Sequence, residues 1–65
     1  MSFHKKSVIE VGSKVISTEK IETLAGTFEA GTTFTVTGKG VRGYDLVDDE
    51  GNSALEVGYG RLKLL

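Results

Sequence analysis

The side chains best equipped for chemistry here are one histidine, His4, and a run of acids, Asp45, Asp48, Asp49, Glu50 and Glu56, that no basic residue interrupts. His4 is the only group whose ordinary pKa lies near neutrality, and it stands beside Lys5 and Lys6 in a polar, unpatterned start. Nucleophilic catalysis needs a base held against a serine, threonine or cysteine in a closed site, and a terminal histidine in such surroundings does not supply that geometry. The acids, with Asn52, carry enough oxygens to suggest calcium or magnesium. A calcium loop, however, spreads its ligands over about twelve residues around a central glycine, whereas these fall on a tight hairpin whose side chains diverge. They read as a solvated hairpin tip or as a surface for a basic partner. Gly38 with Gly40, and Gly58 with Gly60, would expose backbone N–H groups, yet neither pair opens a helix or carries the lysine followed by serine or threonine of a phosphate loop. The expectation is a protein that is not an enzyme, with no catalytic residue, metal site or cofactor.

Another constellation gathers around a glycine turn. Lys39 and Arg42 would contact phosphate there while Tyr44 stacks on a base. The simpler reading sends Tyr44 into the core, because it shares a strand face with Leu46, and pairs Arg42 with Asp45 or another acid.

Composition narrows the classes further. Sixty-five residues make one domain, and a domain of this size buries only about 60% of the surface of its unfolded chain, leaving no spare core for an enclosed reaction chamber. No cysteine is present to bridge it, which points to a cytoplasmic location, since small secreted domains usually carry disulfides. No run approaches a membrane span, and the start lacks the apolar core of a secretory signal. Eight basic against nine acidic residues give a net charge of -1, so no global field draws in nucleic acid or anionic lipid.

The elements that must position these groups are strands. Residues 1–7 read as a flexible N-terminal arm and residues 8–65 as a single domain. Val8, Ile9 and Val11 lead to Gly12, and a first strand follows over residues 14–17 with Val15 inward. Residues 19–24 read as a long loop folding Leu24 and Phe28 back onto the core, since Gly26 and nearby threonines stop any helix. From Thr32 to Thr37 the pattern alternates strictly: Phe34 and Val36 lie on one face, Thr33, Thr35 and Thr37 on the other. Gly38 to Gly40 reverses the chain, and Val41 to Val47 forms the next strand. A turn from Asp49 to Asn52 leads to a returning strand with Leu55 and Val57 on one side. Gly58 to Arg61 suits one 3₁₀ turn before a last strand, Leu62 to Leu64.

Five short antiparallel strands, a long first loop, a tight second turn, a hairpin and a one-turn break before the last strand together resemble an SH3-like small β-barrel. The segment Gly12-Ser13-Lys14-Val15 resembles the start of the first strand in KOW-type and related bacterial barrels. Arg42-Gly43-Tyr44-Asp45-Leu46 with Asp49-Glu50-Gly51-Asn52 is similar to small uncharacterised bacterial and prophage-encoded proteins of that shape. The likeness spans Val11 to Leu65 and rests on glycine turns. Proline-rich peptide recognition, which eukaryotic SH3 domains perform on clustered aromatics, does not transfer, because tryptophan is absent and the acids sit in a different loop.

These observations leave two functional readings. The first is a non-catalytic interaction module that binds another protein or pairs with itself, of prophage accessory type, with Arg42, Tyr44, Tyr59 and Arg61 as contact residues. The alternative, implied by the KOW-type likeness, is a binder of RNA or single-stranded DNA through Lys14, Lys39, Arg42, Arg61 and Lys63.

Overall fold

The computed structural model describes residues 9–24 and 26–65. The N-terminal arm, His4 and Val8 lie outside them. The chain is all-β, with seven short strands: β1 (Lys14–Ser17), β2 (Ile21–Thr23), β3 (Gly26–Phe28), β4 (Thr33–Lys39), β5 (Tyr44–Asp48), β6 (Ser53–Val57) and β7 (Leu62–Leu64). A 3₁₀ turn, Tyr59–Arg61, precedes β7 as expected. Five strands form an antiparallel sheet in the order β6-β5-β4-β1-β7, and β2 and β3 form a separate hairpin. No hydrogen-bonded pairing of β6 with β7 closes the sheet among the described residues.

Strand β4 is the centre of this arrangement because both of its edges are used. Thr33 to Thr35 pair with β1, while Phe34 to Lys39 pair with β5. Its alternation gives the core its direction: Phe34 and Val36 are both 1% exposed, as the period-two pattern requires. Opposite them stand Val15 of β1 and Leu46 of β5, each fully buried. Tyr44, Ala54, Val57, Leu62 and Ile21 complete the buried cluster, with Ile9, Phe28 and Leu64 packed at its margin.

The expected long first loop is a hairpin. Ile21 to Thr23 pair with Gly26 to Phe28, and the Thr23 hydroxyl donates to the Gly26 carbonyl at 2.9 Å while accepting the Gly26 N–H at 3.1 Å. Pairing consumes the backbone groups that an irregular loop would leave to water, and it sets which side chains turn inward. Ile21 is buried, and the Phe28 ring meets Phe34 edge-on at 5.1 Å. Leu24, expected to fold inward, stands fully in solvent instead, because it lies at the hairpin tip beyond the reach of the core. Ser17 is the one buried polar residue among those described, and it is satisfied: its hydroxyl donates to the Glu29 carbonyl and accepts the Thr32 N–H, both at 3.1 Å.

A second correction concerns β6. Leu55 was expected to share the inner face with Val57, but Ala54 and Val57 are buried and Leu55 is 65% exposed. The register explains it: Leu46 pairs with Ala54 and Tyr44 with Val57, so Asp45 faces both Leu55 and Glu56. That is a β-bulge, which inserts one residue and reverses the alternation beyond it. Glu56 takes a left-handed φ of 55°, and its N–H donates to Asp45 Oδ1 at 3.2 Å. Strand β5 also starts later than the sequence suggests, at Tyr44, leaving Val41 exposed in the preceding turn.

The bulge makes a direct prediction for stability. Ala54→Leu should overpack the interior and cost about 1–3 kcal/mol, whereas Leu55→Ser should change stability by less than about 0.5 kcal/mol. Urea denaturation of the two variants measures both, and a larger loss at Leu55 would place the wrong residue inside.

Candidate interaction surface

Three of the residues singled out for contact meet where β4 turns into β5. Arg42 lies in the turn, and Tyr44 begins β5 with its ring buried. Tyr59, from the 3₁₀ turn, packs edge-to-face on Tyr44 with ring centroids 4.8 Å apart, and its hydroxyl donates to the Gly40 carbonyl. The aromatic pair thus ties the 3₁₀ turn to the β4–β5 turn. Tyr59 is about half exposed, whereas Tyr44 reaches a partner only through it. A base stacking directly on Tyr44 would have to displace Tyr59.

Local geometry here depends on Gly43. Its φ of 153° is one that side-chain-bearing residues rarely adopt, and a Cβ at this position would lie 2.1 Å from the Val57 carbonyl oxygen. Only glycine lets β6 approach this closely at the point where the bulge ends. Lys39 to Gly43, with Asp45 and Glu56, line a shallow cleft of about 260 Å³. Because two carboxylates share it with Lys39 and Arg42, it is not a phosphate cradle.

The cations divide between pairing and separation. Arg42 Nη1 lies 3.8 Å from Glu56 Oε1, and Arg61 Nε lies 2.9 Å from Glu19 Oε2, so both arginines are engaged within the chain. Lys14 and Lys63 are diagonal neighbours on the outer face of β1 and β7, since Lys63 pairs with Ile16, two residues beyond Lys14. Thr33, paired with Ile16, marks that end of β4, and Lys39 ends the same strand six residues later. At about 3.3 Å per residue Lys63, level with Thr33, lies roughly 20 Å along the strand from Lys39, whereas Lys14, paired with Thr35, lies four residues or roughly 13 Å from it. The five cations named for nucleic acid therefore do not form one patch.

A second, wider concavity was not visible in the sequence. It is an open groove of about 930 Å³ between the β2–β3 hairpin and the β5–β6 pair, lined by Glu22, Thr23, Leu24, Asp45, Ser53, Leu55 and Glu56. Leu24 and Leu55, the two leucines expected inside, are its apolar walls. The hairpin tip presents the first, and the register that buries Ala54 turns out the second, with the bulge adding Glu56 beside it. No signal in the residue pattern marks either event: a bulge depends on which strand lies opposite, and the turning of Leu24 depends on β2 finding β3.

At the neighbouring β5–β6 turn the acids do structural work. Asp48 Oδ1 accepts the N–H groups of Glu50 and Asn52 at 2.9 and 2.8 Å, and Oδ2 accepts from Asn52 Nδ2 at 3.2 Å. Gly51 provides the positive φ, 88°, that the turn needs. The backbone hydrogen bond from Asn52, foremost, holds the Asp48 carboxyl below its ordinary value of 3.8. Asp48 is thus an acceptor spent on its own turn, while Asp49 and Glu50 remain exposed.

No protein-family model, curated protein or solved structure matches the chain.

The sign of the Asp48 effect follows from its lowered pKa. The charged carboxylate stabilises the fold fully above 3.8, and the contribution is lost as pH falls through the lower folded value. In urea melts across a pH series, wild type should exceed Asp48→Asn in stability at neutral pH, with the gap narrowing below 3.8. A gap that stays constant into acid would contradict the charge-assisted turn.

Proposed function

We propose that this chain is a non-catalytic interaction module built on an SH3-like small barrel. Support for the barrel comes from the succession of a hairpin-forming first connection, a tight second turn, the Asp48 turn and the 3₁₀ turn before β7, with the core enclosed on the inner faces of the strands. The interaction reading rests on one observation: Leu24 and Leu55 stand exposed across an open groove whose walls are fixed. Exposed apolar side chains that share a concavity are a common mark of a binding surface. Ile21 and Phe28 pin the hairpin to the core, so the groove exists before any partner arrives. On this reading Arg42 stands beside the groove through its pair with Glu56, and Tyr59 and Arg61 lie outside its lining. The resemblance to prophage-encoded barrels and the lack of cysteine extend the proposal to a cytoplasmic accessory protein.

A second reading, RNA or single-stranded DNA binding, has Lys14 and Lys63 in its favour, since they adjoin on the outer face and neither joins an ion pair among the described residues. Photo-crosslinking in host cells separates the two, with probes placed at Ser53. The module reading expects a protein adduct, or a dimer of the chain, that disappears in the Leu24→Ser/Leu55→Ser variant while its melting temperature is kept. Adducts unchanged in that variant would defeat it. Single-stranded DNA binding at low salt that Lys14→Gln/Lys63→Gln abolishes would instead establish the second.

A further inference from the structure

We infer that the groove takes a short peptide segment bearing both basic and apolar side chains; this rests on the interaction-module reading and names the partner class. Around the two leucines stand three carboxylates, Glu22, Asp45 and Glu56, and no lining residue among those described is basic. The carboxylates are weakly compensated. Lys20 lies 4.0 Å from Glu22 and Arg42 lies 3.8 Å from Glu56, with every one of these side chains more than half exposed. Asp45 is in no ion pair among the described residues, and only its Oδ1 is engaged, by the Glu56 N–H. Exposed pairs of this kind contribute little and exchange readily, so an incoming guanidinium can take over one carboxylate and gain a second hydrogen bond.

The same inventory excludes other occupants. A phosphate chain would meet three carboxylates at close range, and an acidic peptide likewise. A purely basic segment would leave Leu24 and Leu55 wet, and a purely apolar one would bury carboxylates without partners. Shape argues against a second copy laid flat on the groove: its basic face, at Lys14 and Lys63, is the surface of a sheet, whereas the groove is concave and receives a protruding segment. Binding requires little rearrangement, because Ile21 in the core and the Phe28–Phe34 ring contact already hold the hairpin in place.

The test uses labelled short peptides and fluorescence anisotropy on the full chain, with alternating arginine–leucine, glutamate–leucine, arginine–serine and serine–leucine sequences. Arginine–leucine should bind at least about tenfold more tightly than the others, and Leu24→Ser/Leu55→Ser and Glu22→Gln/Glu56→Gln should each weaken it by about tenfold. All four positions are exposed, so thermal melts should show both variants folded, and Lys14→Gln/Lys63→Gln should bind as wild type does. Equal binding of glutamate–leucine, or arginine–leucine binding that survives Leu24→Ser/Leu55→Ser, overturns the inference. If serine–leucine or glutamate–leucine binds best and Leu24→Ser/Leu55→Ser abolishes it, the groove remains an interaction site and only the basic partner class falls. If no peptide binds, the partner class falls too, and the crosslinking result decides the module reading separately. Self-association that Leu24→Ser/Leu55→Ser abolishes gives the groove to a second copy and overturns the peptide assignment.

Discussion

Withdrawal of Phe34 from water is the constraint on which the other elements converge. Val15 stands opposite it on β1, the Phe28 ring closes on it from the hairpin, and its neighbour Val36 faces Leu46 on β5. A chain of this length has about 3–10 kcal/mol of net stability, and removing a buried phenylalanine ring typically costs about 3–5 kcal/mol. One side chain thus commands a large share of the total. The arrangement also shows what holds a sheet that has no cysteine to bridge it: β4 is paired along both edges, and the separate hairpin meets it through the Phe28–Phe34 ring contact.

The proposed binding surface arises from departures from regularity. Leu55 faces outward by ordinary alternation from Ser53 and Ala54, but had β6 kept that alternation, Glu56 would be inside and Val57 out. The bulge keeps Glu56 beside Leu55 on the outer face and returns Val57 to the core, and three features hold it: the left-handed Glu56, its hydrogen bond to Asp45, and the missing Cβ of Gly43 against Val57. A bulge on an edge strand also disrupts the regular ladder that another chain would need for edge-to-edge pairing. The same irregularity therefore protects the edge and shapes the groove. Asp45 serves both purposes, with Oδ1 fixing the bulge and the residue lining the groove.

Electrostatics repeat this division of the surface. A net charge of -1 conceals separation in space. Glu22, Asp45 and Glu56 gather at the β5–β6 side, whereas Lys14 and Lys63 lie at the β1–β7 side, with β4 between them. Of the two arginines, Arg61 is held at 2.9 Å by Glu19, while Arg42 pairs loosely with Glu56 at 3.8 Å beside the acidic groove. Charge on the groove side favours a basic partner, and charge on the opposite side is confined, among the described residues, to Lys14 and Lys63, with Lys39 four residues along β4 from the partner of Lys14.

Much of the fold was legible in the residues. Strict alternation through Thr33–Phe34–Thr35–Val36 defined the central strand, because a period of two admits one buried face; glycine at the Asp48 turn marked a reversal, because the positive φ of Gly51 disfavours other residues. Tyr44 could be assigned to the interior from its phase with Leu46. The candidate site was less accessible. Arg42, Tyr44 and Tyr59 were identified by type and do converge, but Leu24 and Leu55 were assigned to the core by hydrophobicity, and their exposure was settled elsewhere. Strand phase is a local property that neighbouring residues fix among themselves. A bulge, a hairpin's partner and the groove between them are relations across the sheet, set by which backbone lies opposite and how closely it can approach, and these exist only once the chain has folded.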